Sequence, residues 1–207
     1  QTRTGTSLSM TRKRTGTSLS PQELELLDKR YVWHPFTQMG DWLDEEPLII
    51  ATARGSYLVD VKGRRYLDGV SSLWVNVHGH RKPELDRAIA DQLGRVAHST
   101  FLGLSNVPAN LLAERLVKLA PAPLARVFYS DNGSTAVEVA LKMAYQSWQQ
   151  RASRRGSHST QKRLRNRIIS FVNSYHGDTL GAVSVGGVAL FHQKFEPLLF
   201  PSIKVPA

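Results

Sequence analysis

At 207 residues, 41% of them apolar and none cysteine, the chain can bury a core in one or two domains, and a disulfide framework, a thiolate metal site and a cysteine nucleophile are excluded. Its formal charge of +10 is uneven: eleven of the 27 basic residues fall in two acid-free stretches, residues 1–20 and 151–167, and the other 16 face 17 acidic residues. The body is therefore nearly neutral, the basic stretches lack interleaved aromatics for base stacking, and no apolar run approaches the roughly 18 residues of a membrane span, so neither nucleic acid nor membrane is the expected partner.

Residues 1–20 contain a direct repeat, Arg3–Ser9 and Arg14–Ser20, and hold too few apolar residues to order themselves. A disordered basic leader is expected there; an organelle transit peptide is disfavoured by the lack of an apolar helical face. From Pro21 a short helix over 22–30 presents Leu24 and Leu27, and Pro35 then forces an extended, aromatic segment, Trp33-His34-Pro35-Phe36-Thr37. Residues 48–53 read as a strand, and 56–60 with 65–68 as a hairpin around Lys62-Gly63, because apolar residues alternate on each arm. A small antiparallel segment over 21–75 is the expectation.

Pro83 opens an amphipathic helix with Leu85, Ile89, Leu93 and Val96 on one face, and 108–119 forms a second, stopped by Pro121. A strand at 126–130, a long helix from Ser134 to about Gln150 and an apolar strand at 168–172 follow. The strand, helix, strand order indicates an α/β fold with a mainly parallel sheet, so 76–207 reads as the first part of a larger domain. The charged stretch 151–167 connects its helix to the next strand.

Two motifs carry chemistry. In Asp131-Asn132-Gly133-Ser134-Thr135-Ala136-Val137-Glu138, Gly133 allows close backbone approach, and Ser134 and Thr135 place hydroxyls beside the free N–H groups of a helix start. This suits an anion; the alternative is an ordinary N-cap by Asn132 or Ser134. Glu138 is expected to complement the helix dipole rather than to react. In Tyr175-His176-Gly177-Asp178, just beyond a strand end, an aromatic side chain can lie flat on a heterocycle, although such a pair can equally serve packing. Asp178 can hydrogen-bond Tyr175 or cap the next turn. Together the motifs suit a flat phosphorylated ring, with pyridoxal 5'-phosphate the leading candidate. His78 and His80 lack a third ligand, so no metal site is expected.

Those motifs, together with Trp33-His34-Pro35-Phe36-Thr37 and Asp68-Gly69-Val70-Ser71-Ser72-Leu73-Trp74, occur in an order that resembles the N-terminal part of the class-III pyridoxal-phosphate aminotransferases, and Trp33-His34-Pro35-Phe36-Thr37 with Ser71-Ser72-Leu73-Trp74 resembles the biotin-pathway branch. The resemblance runs from about Asp28 to Ala207 and covers roughly half of a complete member. It implies a fold-type-I transferase, in which the small antiparallel unit precedes a mainly parallel, three-layer cofactor domain.

It implies that Asn132, Gly133, Ser134, Tyr175 and His176 bind the cofactor, with Gly133 and Ser134 on its phosphate and Tyr175 on its ring, while Asp178 supports Tyr175. Phe36, Leu73, Trp74 and Tyr175 would line the substrate site. Transamination of 8-amino-7-oxononanoate to 7,8-diaminononanoate is the implied reaction, in a cytoplasmic homodimer. S-adenosylmethionine is the usual donor and lysine the alternative, since Phe36 and Leu73 replace a tyrosine and a tryptophan common in the family. The resemblance also implies that the lysine that carries the cofactor covalently lies beyond Ala207; Lys142 in mid-helix and Lys194 after a surface helix are poor substitutes. No catalytic residue is thus expected within the chain, which alone should be inactive, as a segment of a larger enzyme or the product of a broken gene. Another class-III ω-amine transferase and a basic nucleic-acid-binding fragment are the competing readings.

Overall fold

The computed structural model describes residues 16–154 and 166–207. Most of the N-terminal repeat and residues 155–165 of the basic stretch therefore lie outside the described residues. The chain divides into two compact units, Gln1–Leu104 and Ser105–Ala207.

In the first unit, helix α1 (Pro21–Tyr31) begins with a capping box: Ser20 Oγ accepts from Glu23 N–H at 3.2 Å and Glu23 Oε2 from Ser20 N–H at 2.7 Å. Near its end Asp28 gathers the aromatic segment, accepting from His34 Nε2 at 3.0 Å and from Trp42 Nε1, in α2 (Met39–Asp44), at 2.9 Å. His34 and Trp42 also stack, with ring centroids 4.2 Å apart. The Trp33–Phe36 stretch is thus tied to a helix although it makes none itself.

Strands β1 (Ile50–Arg54), β2 (Tyr57–Asp60) and β3 (Arg65–Leu67) form an antiparallel meander in the order β1-β2-β3, with a bulge between Ile50 and Thr52. Its turn is organised by Asp60, which is 1% exposed. Burial alone would push the Asp60 carboxyl up, but bonds from Arg64 Nε at 2.6 Å, Arg64 N–H at 2.8 Å and Tyr66 Oη at 3.1 Å outweigh it and hold the group below its ordinary value. Asp60→Ala strands these donors, and a loss of about 1.5 kcal/mol in denaturant unfolding is expected.

Ser71–Trp74 makes one left-handed turn: φ is 52°, 48°, 62° and 70° at Ser71, Ser72, Leu73 and Trp74. Four consecutive L-residues in that region are sterically costly. Asp68 offsets the cost by accepting from Ser72 N–H at 2.8 Å, His80 Nε2 at 2.7 Å and Ser72 Oγ at 2.8 Å, which hold its carboxyl below the usual value. Helix α3 (Pro83–Leu93) follows; Val96 of the expected apolar face lies beyond its end.

The second unit contains α4 (Val107–Leu119), capped by Asn106, and the long α5 (Gly133–Arg154). Strand β4 (Ile169–Phe171) leads through α6 (Leu180–Val185), α7 (Ala189–His192) and a 3-10 segment to β5 (Ile203–Val205). β4 and β5 pair in parallel, Ile169 opposite Ile203 and Phe171 opposite Val205. The segment 126–130, read as a strand, forms none: β4 and β5 pair with each other, and it has no strand neighbour among the described residues. A ladder needs a partner as well as an apolar run.

Gly181–Val185 are all buried, making α6 the centre of this unit. Elsewhere the apolar faces stay open, Leu85, Ile89 and Leu93 of α3 being 47–62% exposed. Among the described residues, no helix is long and apolar enough to cross a membrane.

Candidate functional site

Asn132 caps α5. Its Oδ1 accepts from Thr135 N–H at 3.0 Å, its own N–H donates to Thr135 Oγ1 at 3.3 Å, and Thr135 Oγ1 donates to the Asn132 carbonyl at 3.1 Å. Ser130 Oγ lies 2.6 Å from the same threonine hydroxyl. Asn132 Oδ1 and the Thr135 hydroxyl serve this cap, so the ordinary capping role falls to them and not to Ser134. The N–H groups of Gly133 and Ser134 and the Ser134 hydroxyl have no intramolecular partner among the described residues. Three free donors at the positive end of a 22-residue helix make a cradle that could accept a phosphate-like anion.

The Tyr175–Asp178 turn comes directly against this cradle. Gly177 has φ +114°, and a Cβ built on it would fall 1.8 Å from Ser134 Oγ and 3.0 Å from Ser134 Cα. Only glycine permits this approach. Two residues earlier, Tyr175 donates its hydroxyl to Asp178 Oδ2 at 2.6 Å; that bond, with a smaller contribution from burial, raises the phenol above its ordinary value and keeps it protonated. Its ring remains 51% exposed, so a face is open to a ligand. His176 is half-buried and borders the cleft between α5 and β4 with Val137, Leu141 and Val205.

Phe36, Leu73 and Trp74 belong to the first unit, where they are 81%, 68% and 75% exposed, the last two on the left-handed turn. Exposed large apolar side chains held on a costly backbone are a feature of ligand sites.

Two groups escaped the sequence reading. Glu138 does more than face the dipole of its own helix: its Oε1 accepts from Gly181 N–H at 2.7 Å. Its spacing of four from Ser134, which puts both on one helix face, was the available signal. Lys204 on β5 donates to Ser170 Oγ at 2.9 Å, to the Ser184 carbonyl and to the Gly186 carbonyl, and burial lowers its ammonium below the ordinary lysine value. The two carbonyls lie at the C-terminal end of α6 and Ser170 on β4, and together they occupy the amine. Lys142 is exposed on α5 and Lys194 lies in the 3-10 segment. Among the described residues no cluster of His, Asp and Glu could hold a metal ion.

Residues 39–207 match the family described as Aminotransferase class-III. Over 186 residues the chain is 53% identical to the adenosylmethionine-8-amino-7-oxononanoate aminotransferase of Geobacter sulfurreducens, covering 90% of this chain and 39% of that protein. A crystal structure of the enzyme of the same name from Methanocaldococcus jannaschii superposes with a TM-score of 0.80 at 46% identity, covering 90% of this chain and 40% of that one. An amine transaminase from an uncultivated Pseudomonas species, solved in the PLP-bound form, has a TM-score of 0.73 at 37% identity and covers 86% and 38% of the two chains. The chain thus spans about 39% of the length of the curated relative it matches, and within that span both the fold and the match over 39–207 show that it belongs to the class-III aminotransferase family.

Proposed function

We propose that the protein carrying this segment at the full length of its relatives is a pyridoxal-phosphate-dependent aminotransferase of biotin biosynthesis. It moves an amino group from S-adenosylmethionine to 8-amino-7-oxononanoate, giving 7,8-diaminononanoate, in a cytoplasmic homodimer. The name borne by a relative 53% identical over 90% of this chain supports that substrate. The observation that carries the reading is the glycine-tight contact of the Tyr175–Asp178 turn with the Ser134 cradle.

The residues present fit the cofactor. Gly133 and Ser134 offer donors for a phosphate dianion, and Gly177 admits the turn so closely that a Cβ there would fill the cradle. When bound, pyridoxal phosphate supplies an electron sink conjugated to the reacting amine. The work of this chain is to bind and orient. The Ser134 hydroxyl and the two amides hold the phosphate end. Tyr175, its hydroxyl tethered to Asp178, covers one ring face and excludes water from it. His176 backs the turn from the α5 side. Phe36, Leu73 and Trp74 are assigned to the aliphatic chain of the keto acid, for which their apolar surface is suited. Lys204 is occupied by α6 and is not the covalent anchor.

Incubation of the full-length protein with 8-amino-7-oxononanoate and either S-adenosylmethionine or lysine tests the reading. Formation of 7,8-diaminononanoate is expected; turnover of simple ω-amines with none of that product would replace it with an ω-amine transferase. Ser134→Ala removes one of three phosphate donors, and cofactor titration should show a Kd about tenfold higher, the equivalent of one hydrogen bond to a charged group.

A further inference from the structure

Ser134 and Glu138 are four residues apart on α5 and therefore stack on one helix face; Gly177 and Gly181 are also four apart. The two pairs meet in register. A Cβ on Gly177 would collide with Ser134 Oγ at 1.8 Å, and a Cβ on Gly181 would lie 2.3 Å from Glu138 Oε2 and 2.6 Å from its Cδ. At the second contact Glu138 Oε1 accepts the Gly181 N–H at 2.7 Å, across 43 residues of sequence. Thr179, at the N-cap position of α6, makes no side-chain cap bond, and its buried Oγ1 has no partner among the described residues. The acceptor for the first turn of α6 thus comes from α5 and not from the local cap.

From these contacts we propose that Glu138 is a positioning residue for the cofactor ring. Resting on the cofactor reading above, the assignment states what fixes the separation between the phosphate cradle and Tyr175. The segment 175–181 is braced internally by Tyr175 Oη on Asp178 and meets α5 at two points, Gly177 against Ser134 and Gly181 N–H on Glu138. Steric contact at Gly177 prevents the turn from moving inward. The Glu138 bond ties the first turn of α6, and with it the turn, to α5, whereas Ser202 and Lys204 hold α6 at its other end, through the Ser184 and Gly186 carbonyls. Without that bond the cradle keeps its donors, but the phenol ring loses its fixed pose over whatever the cradle holds. Because the Glu138 carboxylate needs only to accept, an amide oxygen at the same place serves nearly as well.

The test uses the full-length holoenzyme with Glu138→Ala, Glu138→Gln and, in parallel, Ser134→Ala, reading cofactor Kd by titration and ring pose by visible circular dichroism of the bound cofactor. Expected for Glu138→Ala is a Kd raised about tenfold together with a strongly reduced dichroic band, while Glu138→Gln retains most of both. An unchanged dichroic band in Glu138→Ala, or a Gln variant no better than the Ala variant, overturns the positioning role. Ser134→Ala separates the two levels. If it loosens the cofactor while Glu138→Ala does not, only the positioning role fails; if it leaves cofactor affinity unchanged, the cradle assignment itself fails.

Discussion

Gly177→Ala should cost cofactor affinity roughly two orders of magnitude, the largest effect expected of a single methyl group in this chain. Two penalties add. At φ +114° an L-residue is strained, by about 1–3 kcal/mol. The new Cβ would also meet Ser134 Oγ at 1.8 Å, Cβ at 2.8 Å and Cα at 3.0 Å. Rotating the serine hydroxyl away relieves only the first of these contacts, because the other two are with Cβ and the backbone. The turn must therefore back away from α5, opening the cradle and displacing Tyr175 together. The loss is measured as cofactor Kd in the full-length protein, with thermal unfolding of the apo form reporting how much of it is general destabilisation. An affinity within threefold of wild type would show that turn and cradle do not form one site.

Tyr175→Ala should raise the cofactor Kd about 30-fold, whereas Tyr175→Phe should leave it nearly unchanged and raise KM for the amino acceptor. The ring supplies apolar area to the ligand, and losing one stacked face is worth about 2 kcal/mol. The hydroxyl supplies orientation through Asp178, at 2.6 Å, without touching the phosphate cradle. Because its bond to Asp178 raises the phenol above its ordinary value, the neutral donor persists through the neutral and mildly alkaline range. Deprotonation would end the donation and oppose Asp178 with a second negative charge. A Tyr175→Phe variant that loses the cofactor as readily as Tyr175→Ala would refute this division between ring and hydroxyl.

The elements legible in the sequence are those specified by local chemistry. Pro21 with Leu24 and Leu27 announces α1, Pro83 with Leu85 and Ile89 announces α3, and the alternation around Lys62-Gly63 announces the β2–β3 hairpin. The Asn132-Gly133-Ser134 and Tyr175-His176-Gly177 motifs were legible for the same reason, since cap chemistry and a glycine turn are written in consecutive residues. What was not legible depends on partners distant in sequence. The apolar run at 126–130 reads like a strand, yet among the described residues it pairs with no strand. Strand β5 is three residues long and is defined only by pairing with β4 across 34 positions. The left-handed turn at Ser71–Trp74 contains no glycine and runs against every local preference, so only the Asp68 and His80 contacts explain it. Glu138 read as a dipole partner because its true acceptor role needs Gly181, which α6 brings to it.

The most direct measurement is a structure of the full-length protein loaded with pyridoxal phosphate. The account predicts phosphate oxygens within about 2.7–3.2 Å of the Gly133 and Ser134 N–H groups, with the ring lying against Tyr175. A phosphate bound away from the start of α5, or solvent alone in that cradle while the cofactor is present, would contradict it.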